Sequence, residues 1–396
     1  MKTICIAGKN NIAVDVLEYC LKNYSNNKVV CICNRNEIGK NSWQKSLKWF
    51  AQKYNIELLS LEDLYDIEDL LFLSLEFDRI IKPDKFKSTN LFNIHFSMLP
   101  KYKGMYTSVL PILNGDEYTG VTLHRISAGI DTGEIIEQEK ILIDDEESSF
   151  DLYKKLIKGG TALVIKNLGR LLSANVASVP QSQIGSTYFS SDTIDYLNLH
   201  LDINKTCYQI RNQIRAFYFR PYQVLSWQGI KYVDCMITDD ISTKKAGSVL
   251  EDTDVFTRIS TIDYDVILYK DVFDELVELI AHKRNIEAER LLKNKKILEA
   301  QDSHGWTLLT VAVYNNNLPM VEKLISLGAD INILNNNGTN LLMYAKSCFI
   351  NTQNPKIFEK LIKEGLSPLV SDYSGKNLVD YCNEEGIKRI GSWTVF

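Results

Sequence analysis

The first part of the chain alternates between short apolar runs and segments whose apolar residues recur at helical spacing. The apolar runs lie at residues 3–8, 29–33, 56–61 and 70–75. Amphipathic helices are predicted around Ile12 to Leu21 and around Trp43 to Tyr54, and a longer one from Phe150 to Leu172. Nearly continuous apolar strands that alternate with helices are typical of a parallel, doubly wound, Rossmann-like α/β sheet.

The apolar run that begins at Leu91 carries polar residues at every second position. Asn93, His95 and Ser97 therefore share one face of a predicted strand, and we expect that face to line a pocket at the carboxyl edge of the sheet. An amide can donate a hydrogen bond to an oxyanion, and an imidazole with a pKa near 6.5 can move a proton. Asp131 adds a carboxylate from a Gly-Ile-Asp-Thr-Gly turn at residues 129–133. A lone histidine or a turn aspartate is usually structural, but the three together predict an acyl-transfer site.

Three separated motifs, at residues 92–104, 118–124 and 129–133, resemble the N10-formyltetrahydrofolate-dependent formyltransferases. The resemblance implies that Asn93, His95 and Asp131 are catalytic, and leaves open whether His95 or Asp131 accepts the proton of the attacking amine. It also implies that N10-formyltetrahydrofolate is the co-substrate, without a metal. The residues expected to hold it are Ser74, Leu75, Glu76, Phe77, Ile126, Gly129 and Ile130.

The loop after the first predicted strand reads Gly8-Lys9-Asn10-Asn11 and lacks the glycine-rich pattern that cradles a dinucleotide phosphate. The sequence therefore argues against a bound dinucleotide and against a glycinamide ribonucleotide substrate. We expect Lys9 and Asn10 to contact the substrate instead.

The composition of the chain limits the classes of binding partner and the cellular compartment to be expected. The net charge of −5 argues against a nucleic-acid partner, including a tRNA substrate. The eight cysteines are scattered, mostly in apolar runs, which favours a reducing cytoplasm over a disulfide framework and offers no metal-ligand spacing. The first strand begins at once and no apolar run approaches 18 residues, so neither a signal peptide nor a membrane span is expected.

The middle of the chain is aromatic and carries planar cations. This block resembles the substrate-binding and dimer region of nucleotide-sugar N-formyltransferases, which implies a homodimer. Arginine forks suit a diphosphate and tyrosine rings can stack on a base or a sugar. The residues expected to bind the substrate here are Arg211, Arg215, Tyr218, Arg220 and Tyr222.

The last third of the chain contains an internal sequence repeat. The segment from Asp302 recurs from Asn335, 33 residues later, and again from Asp372, which is typical of ankyrin repeats. The longer second step predicts an insertion near residues 348–355, and residues 276–298 are expected to form a capping repeat. The sequence thus predicts a catalytic domain at 1–180, a small mixed α/β region for substrate binding and dimerisation at 181–268, and all-α ankyrin repeats at 269–396.

The combined resemblance is to ankyrin-bearing enzymes that formylate a dTDP-linked 3-amino-3,6-dideoxyhexose for bacterial surface polysaccharide (O-antigen). A 4-amino sugar is the first alternative, because nothing in the sequence reads the position of the amine. A non-catalytic ankyrin adaptor on a degenerate transferase fold is the second. Trp306 follows a repeat-turn glycine, where we expect it to pack on a neighbour; the alternatives for the repeats are an accessory nucleotide-sugar site at Trp306 or a protein partner.

Overall fold

The computed structural model describes residues 1–173, 176–220 and 222–395. The chain divides into two compact units. The first comprises residues 1–199 with 215–219, and the second comprises residues 200–214 with the chain from 220 onward. The helix α5 described below contributes residues to both.

The strands of the first unit are β1 (Thr3–Gly8), β2 (Lys28–Cys33), β3 (Glu57–Leu58), β4 (Leu70–Leu75), β5 (Leu91–His95), β6 (Lys103–Gly104), β7 (Tyr118–Arg125), β8 (Ile135–Leu142) and β9 (Tyr188–Phe189). Seven of them form one sheet in the order β3-β2-β1-β4-β5-β7-β8, and β6 pairs with β9.

The strands from β3 to β5 are parallel, as predicted, but the last two are not. β7 runs antiparallel to β5, and β8 antiparallel to β7. The short loop between β7 and β8 makes a hairpin, which forces antiparallel pairing. This hairpin loop holds Asp131, so the departure from a fully parallel sheet is what places the carboxylate.

The helices of this unit are α1 (Asn10–Asn23), α2 (Leu47–Lys53), α3 (Leu110–Asn114) and α4 (Ser149–Leu172). α2 begins later than predicted because the Ser46 hydroxyl caps it, accepting from the Trp49 N–H at 3.1 Å. α4 starts at a capping box formed by Ser148 and Asp151 and packs on α1, β7 and β8. It approaches the sheet closely at Gly160, where a Cβ would lie 3.0 Å from the Phe96 ring.

The opposite face of the sheet is covered by irregular segments and short 3-10 turns rather than by a second layer of long helices, in the residues described. Phe72 and Leu91 are among the buried side chains on this face, and they pack with Leu64 and Phe86 from those turns. The prediction of a doubly wound sheet therefore holds for the strand order and for the face covered by α1 and α4. The opposite face differs, because irregular segments cover it.

The second unit contains most of α5 (Cys207–Phe217). It also contains a five-stranded antiparallel sheet of β10 (Ser226–Trp227), β11 (Ile230–Ile241), β12 (Val249–Asp252), β13 (Phe256–Ile259) and β14 (Tyr264–Lys270). Its strand order is β10-β11-β14-β13-β12. Helical repeats follow within the same unit, as α6 (Phe273–Ala281), α7 (Asn285–Leu291), α8 (Leu308–Tyr314), α9 (Leu318–Ser326), α10 (Leu341–Thr352), α11 (Lys356–Lys363) and α12 (Leu378–Glu384), and the chain ends in a hairpin of β15 (Arg389–Ile390) and β16 (Trp393–Thr394).

The repeat turns are built by side chains that the 33-residue period aligns. Asp302 Oδ1 accepts from the N–H groups of residues 304 and 306, and Asn335 Oδ1 accepts from those of residues 337 and 339. Gly305 and Gly338 take left-handed φ angles of 81° and 78°, which other residues disfavour. The predicted insertion lengthens α10, so that it reaches Thr352.

Candidate active site

The structure brings Asn93, His95 and Asp131 together at the carboxyl edge of the sheet. Asn93 and His95 lie on β5, and the hairpin loop brings Asp131 beside them. His95 Nδ1 is 3.4 Å from Asp131 Oδ2, and Asn93 Nδ2 is 3.4 Å from Asp131 Oδ1. An amide, an imidazole and a carboxylate thus surround one point, as the acyl-transfer prediction requires; their catalytic roles remain predictions.

Contacts from outside the hairpin loop hold the Asp131 carboxylate and its backbone in place. Asp131 has a left-handed φ of 52°, and its Oδ2 accepts the Gly104 N–H at 2.9 Å. Gln181 Nε2 donates to the carbonyls of Asp131 and Gly133 at 2.8 and 2.7 Å. At Gly133 a Cβ would lie 1.8 Å from the Arg125 carbonyl oxygen, so the tight turn needs glycine there.

His95 is buried, and one ring nitrogen is committed to the backbone. His95 Nε2 lies 2.8 Å from the Tyr102 carbonyl oxygen, which can only accept, so Nε2 carries the proton in the neutral ring. Burial lowers the pKa of His95 below the usual 6.5, although the Asp131 carboxylate opposes that shift. At neutral pH the ring is therefore neutral and Nδ1 presents a lone pair.

Asp131 is a poor proton acceptor by comparison. Burial alone would raise the pKa of Asp131, but the neighbouring His95 and His124 rings and the Gly104 N–H lower it to about 2. A carboxylate with so low a pKa binds a proton weakly at neutral pH. The low pKa of Asp131 favours His95 as the acceptor of the amine proton, with Asp131 stabilising the imidazolium, and these roles remain predictions.

His124 also belongs to this site, although no role was predicted for it. It lies on β7 directly opposite Asn93, and only 2% of it is exposed. His124 Nδ1 is 2.8 Å from the Arg125 carbonyl, so Nδ1 carries the proton and Nε2 accepts from Asn93 Nδ2 at 3.0 Å. The available signal was the motif at residues 118–124, but strand pairing is needed to place the ring against Asn93.

Ser97 does not share the site, contrary to the prediction. β5 ends at His95, so the alternation stops there. The Ser97 hydroxyl donates to the Lys101 carbonyl at 2.6 Å and stabilises the turn that follows.

Glu76 was expected to help hold the folate, mainly through backbone groups, and its side chain is bonded within the protein. The carboxylate accepts from the Tyr153 hydroxyl and, at 2.9 Å, from Asn10 Nδ2. These bonds tie the start of α1 and the helix α4 to the loop after β4. The Glu76 side chain, and with it that of Asn10, thus supports the scaffold of the site, and contact of either residue with a ligand remains a prediction.

The other residues expected to hold the folate lie on two segments near the carboxyl edge. Ser74 and Leu75 are buried at the end of β4, and Phe77 follows Glu76. Ile126 begins the hairpin loop, and in that loop Gly129 and Ile130 are exposed. Lys9 lies between β1 and α1. Ligand contact by all of these residues remains a prediction.

The residues expected to bind the nucleotide belong to both compact units. In the first unit, Arg215 donates to the carbonyls of Asp144 and Asp145 at 2.8 and 2.9 Å, and Tyr218 is only 5% exposed. We therefore correct both to structural roles, since a guanidinium that caps carbonyls and a buried ring are not presented to a ligand. In the second unit, Arg220 forms an ion pair with Asp271 and lies over the Phe273 ring, which argues for a structural role as well. Arg211 lies over the Tyr208 ring, and Tyr222 is exposed.

Trp306 belongs to an aromatic cluster in the ankyrin region. Its ring centroid is 4.9 Å from that of Tyr314 and 5.0 Å from that of Tyr344. Asn335 Nδ2 donates to the Tyr344 hydroxyl at 2.7 Å and fixes that ring. Trp306 thus packs on its neighbours, as expected, while Tyr314 remains 47% exposed and leaves an aromatic surface at the cluster.

The residues described contain no group of three or more His, Cys, Asp and Glu side chains placed to hold a metal ion. Nor does any helix in that part of the chain combine the length and apolar character needed to cross a bilayer.

Comparison with known proteins relates the site to a family. Residues 68–168, which include Asn93, His95 and Asp131, match the formyl transferase family, and residues 276–372 match ankyrin repeats in three copies. A methionyl-tRNA formyltransferase of Fervidobacterium nodosum is 30% identical over 226 residues, which are 54% of this chain and 71% of that protein.

Two solved structures are similar over most of their length. WlaRD, a sugar 3N-formyl transferase crystallised with dTDP and 5-N-formyl-THF, is 44% identical with a TM-score of 0.64, over 68% of this chain and 98% of that one. The N-formyltransferase of Helicobacter canadensis, in complex with folinic acid and dTDP-3-aminofucose, is 43% identical with a TM-score of 0.64, over 68% of this chain and 100% of that one.

Proposed function

This chain belongs to the formyltransferase family, and on that basis we propose that it moves the formyl group of N10-formyltetrahydrofolate to the amine of a dTDP-linked 3-amino-3,6-dideoxyhexose. The observation that carries the proposal is the joint placement of Asn93, His95 and Asp131, with His95 Nδ1 3.4 Å from the Asp131 carboxylate. An adaptor would have no need of such a group.

The chemistry follows from the tautomers of the site. The amine nitrogen bonds to the formyl carbon, and the carbonyl oxygen gains negative charge. Asn93 Nδ2 can stabilise that charge with the N–H that otherwise points to Asp131 Oδ1 over 3.4 Å, while its other N–H stays on His124. The amine loses a proton to His95 Nδ1, and the imidazolium is stabilised by Asp131. The bond from the formyl carbon to the folate nitrogen then breaks, and that nitrogen takes the proton back from His95.

The choice of a 3-amino sugar rests on similarity. WlaRD acts on the 3-nitrogen of a sugar, the Helicobacter enzyme was crystallised with a dTDP-3-amino sugar, and both are more than 40% identical to this chain. The methionyl-tRNA formyltransferases are more distant, and a net charge of −5 suits a polyanionic tRNA poorly.

We place the enzyme in the cytoplasm, in the synthesis of O-antigen-type surface polysaccharide, and as a homodimer formed through residues 181–268. All eight cysteines are free, which is compatible with a reducing compartment.

The dimer can be tested by sedimentation. Sedimentation at micromolar concentration should give about twice the chain mass of 45.3 kDa, and a fully active monomer would contradict the dimer.

The exposed aromatic surface at Trp306 supports a second proposal, that the ankyrin repeats hold an accessory nucleotide-sugar site. A planar thymine could stack beside Trp306 and Tyr314, since base stacking on an aromatic ring contributes about 1 to 3 kcal/mol. Such a site would regulate catalysis only if its ligand distinguishes two states of the enzyme.

One assay tests the main proposal. Purified enzyme is given N10-formyltetrahydrofolate with a dTDP-3-amino sugar, a dTDP-4-amino sugar or methionyl-tRNA, and formylated product is measured. We expect turnover with the first acceptor and its loss in His95→Asn. Faster turnover with the 4-amino sugar or the tRNA would replace the substrate assignment, and inactivity with all three would favour the adaptor.

A further inference from the structure

Two backbone groups of one short loop contact two of the catalytic side chains. The Tyr102 carbonyl accepts from His95 Nε2, and the Gly104 N–H donates to Asp131. The loop is an unfavourable one for its sequence, because Tyr102 has a left-handed φ of 57°. Something outside the loop must therefore hold it in place.

The segment around Thr187, which is distant in sequence, holds that loop. β6 pairs with β9, and a Cβ on Gly104 would lie 2.2 Å from the Phe189 carbonyl oxygen. The Thr187 hydroxyl accepts the Tyr102 N–H at 2.7 Å, and the Thr187 carbonyl accepts the Lys103 N–H at 3.0 Å. Thr187 thus forms hydrogen bonds with both peptide groups that flank Tyr102. The second of these groups, between Tyr102 and Lys103, also carries the carbonyl that accepts the hydrogen bond from His95 Nε2.

The side chain of Tyr102 supplies a second anchor. Its hydroxyl donates to Asp116 Oδ2 at 2.6 Å, and its ring stacks on Phe189 with centroids 5.8 Å apart. The position of the Tyr102 carbonyl is therefore fixed by contacts to both the backbone and the side chain of Tyr102.

The competition for the His95 proton gives this anchoring a chemical purpose. Asp131 Oδ2 faces the other ring nitrogen at 3.4 Å, and a carboxylate is a stronger acceptor than a carbonyl. If the Tyr102 carbonyl moved away, the carboxylate would draw the proton to Nδ1. The nitrogen that must accept the proton of the amine would then already carry one.

We propose that Thr187 is a positioning residue, which holds the Tyr102 peptide so that His95 remains the Nε2–H tautomer with Nδ1 basic. This inference rests on the proposed function for the role of Nδ1, but the tautomer itself can be measured without any substrate.

The test compares Thr187→Val, which removes the acceptor hydroxyl, with Thr187→Ser, which keeps it. Thr187 is exposed, so neither change disturbs a core. We expect Thr187→Val to lower kcat about 10-fold with KM changed less than about threefold, as a small misplacement of a catalytic group does. Thr187→Ser should stay close to wild type. Thr193→Val, a change at an exposed threonine of the same segment, is the matched control and should have no effect.

Nitrogen-15 NMR of labelled histidine supplies the decisive readout, with the His95 signal assigned by its absence in His95→Gln. The wild type should show the Nε2–H pattern, and Thr187→Val should gain the Nδ1–H pattern. The double variant Tyr102→Phe/Thr187→Val should gain more of it. An unchanged tautomer in both variants, or equal loss of activity in Thr187→Ser and Thr187→Val, would overturn the proposal. If the wild type formylates none of the sugars tested, the function fails while the tautomer result still stands.

Discussion

Asn93 on β5 and His124 on β7 are direct cross-strand neighbours, and the Asn93 amide donates to the His124 ring over 3.0 Å. Because His124 donates from Nδ1 to the Arg125 carbonyl, its Nε2 is an acceptor and fixes which atom of the Asn93 amide is the nitrogen. The donor needed for an oxyanion is thereby oriented by a second histidine that need not touch the substrate.

This arrangement predicts different results for two substitutions of His124. His124→Leu removes the acceptor, so the Asn93 amide can rotate, and we expect kcat to fall by about 10- to 100-fold. His124→Gln offers an amide oxygen in place of Nε2 and should retain more activity. Steady-state kinetics with a melting curve for each variant measures this, and equal activity in both variants would show that the hydrogen bond does not orient Asn93.

The three catalytic side chains should act as one unit. Asn93→Ala, His95→Asn and Asp131→Asn are each expected to lower kcat by at least about 100-fold, because each removes an interaction made at the reacting atoms. Combined variants should lose little more than the worst single one. Pre-steady-state formyl transfer measures the effect, and near wild-type turnover in His95→Asn or Asp131→Asn would exclude the mechanism.

The pH dependence follows from the neutral state of His95. A base must be unprotonated to act, and burial lowers the pKa of His95 below 6.5, so kcat/KM should rise with pH with the midpoint of the rise below 6.5. Asp131 raises the pKa of His95, so the residual activity of Asp131→Asn should level off at a lower pH than that of the wild type. The titration of the substrate amine is common to both enzymes and cancels from the comparison. If the rising part of the Asp131→Asn profile moved to higher pH than in the wild type, the assignment of His95 as the base would be contradicted.

The sequence predicted the site where local pattern alone determines it. Alternation along β5 places Asn93 and His95 on one face, and the glycine-flanked turn places Asp131. It missed His124, whose role depends on strand pairing, and it misassigned Arg215, whose donors are taken by carbonyls some 70 residues away. Residue type alone cannot tell a guanidinium that caps a loop from one that binds a diphosphate. The repeats were predicted well because their contacts recur at a fixed period.

Glu76 makes a prediction about stability rather than catalysis. Burial raises the pKa of Glu76 above its usual 4.5, despite hydrogen bonds from Tyr153 and Asn10 that favour the charged form. The folded state therefore binds this proton more tightly than the unfolded state, and the associated stability is lost as pH rises above about 4.5 through the folded pKa. Glu76→Gln should remove this loss, so that its free energy of unfolding relative to wild type improves from pH 4.5 to pH 8. Urea denaturation at both pH values measures it, with the exposed Glu62→Gln as control, and a parallel pH dependence in wild type and Glu76→Gln would contradict it.

Trp306 gives the last prediction, which separates packing from ligand binding in the ankyrin repeats. Its ring contacts both Tyr314 and Tyr344, so Trp306→Ala should lower the melting temperature whichever role it has. Trp306→Phe keeps an aromatic face and serves as the matched variant. If the cluster holds a second nucleotide-sugar, Trp306→Ala should change the shape of the curve of rate against dTDP-sugar concentration, while Trp306→Phe retains the wild-type shape more closely. Formyl transfer itself should persist in both, because Asn93, His95 and Asp131 lie in the other unit. Isothermal calorimetry should then find two bound nucleotide-sugars per wild-type chain and one per Trp306→Ala chain. One ligand per chain in wild type and Trp306→Ala, with equal affinity, would leave Trp306 with a packing role and the repeats free for a protein partner.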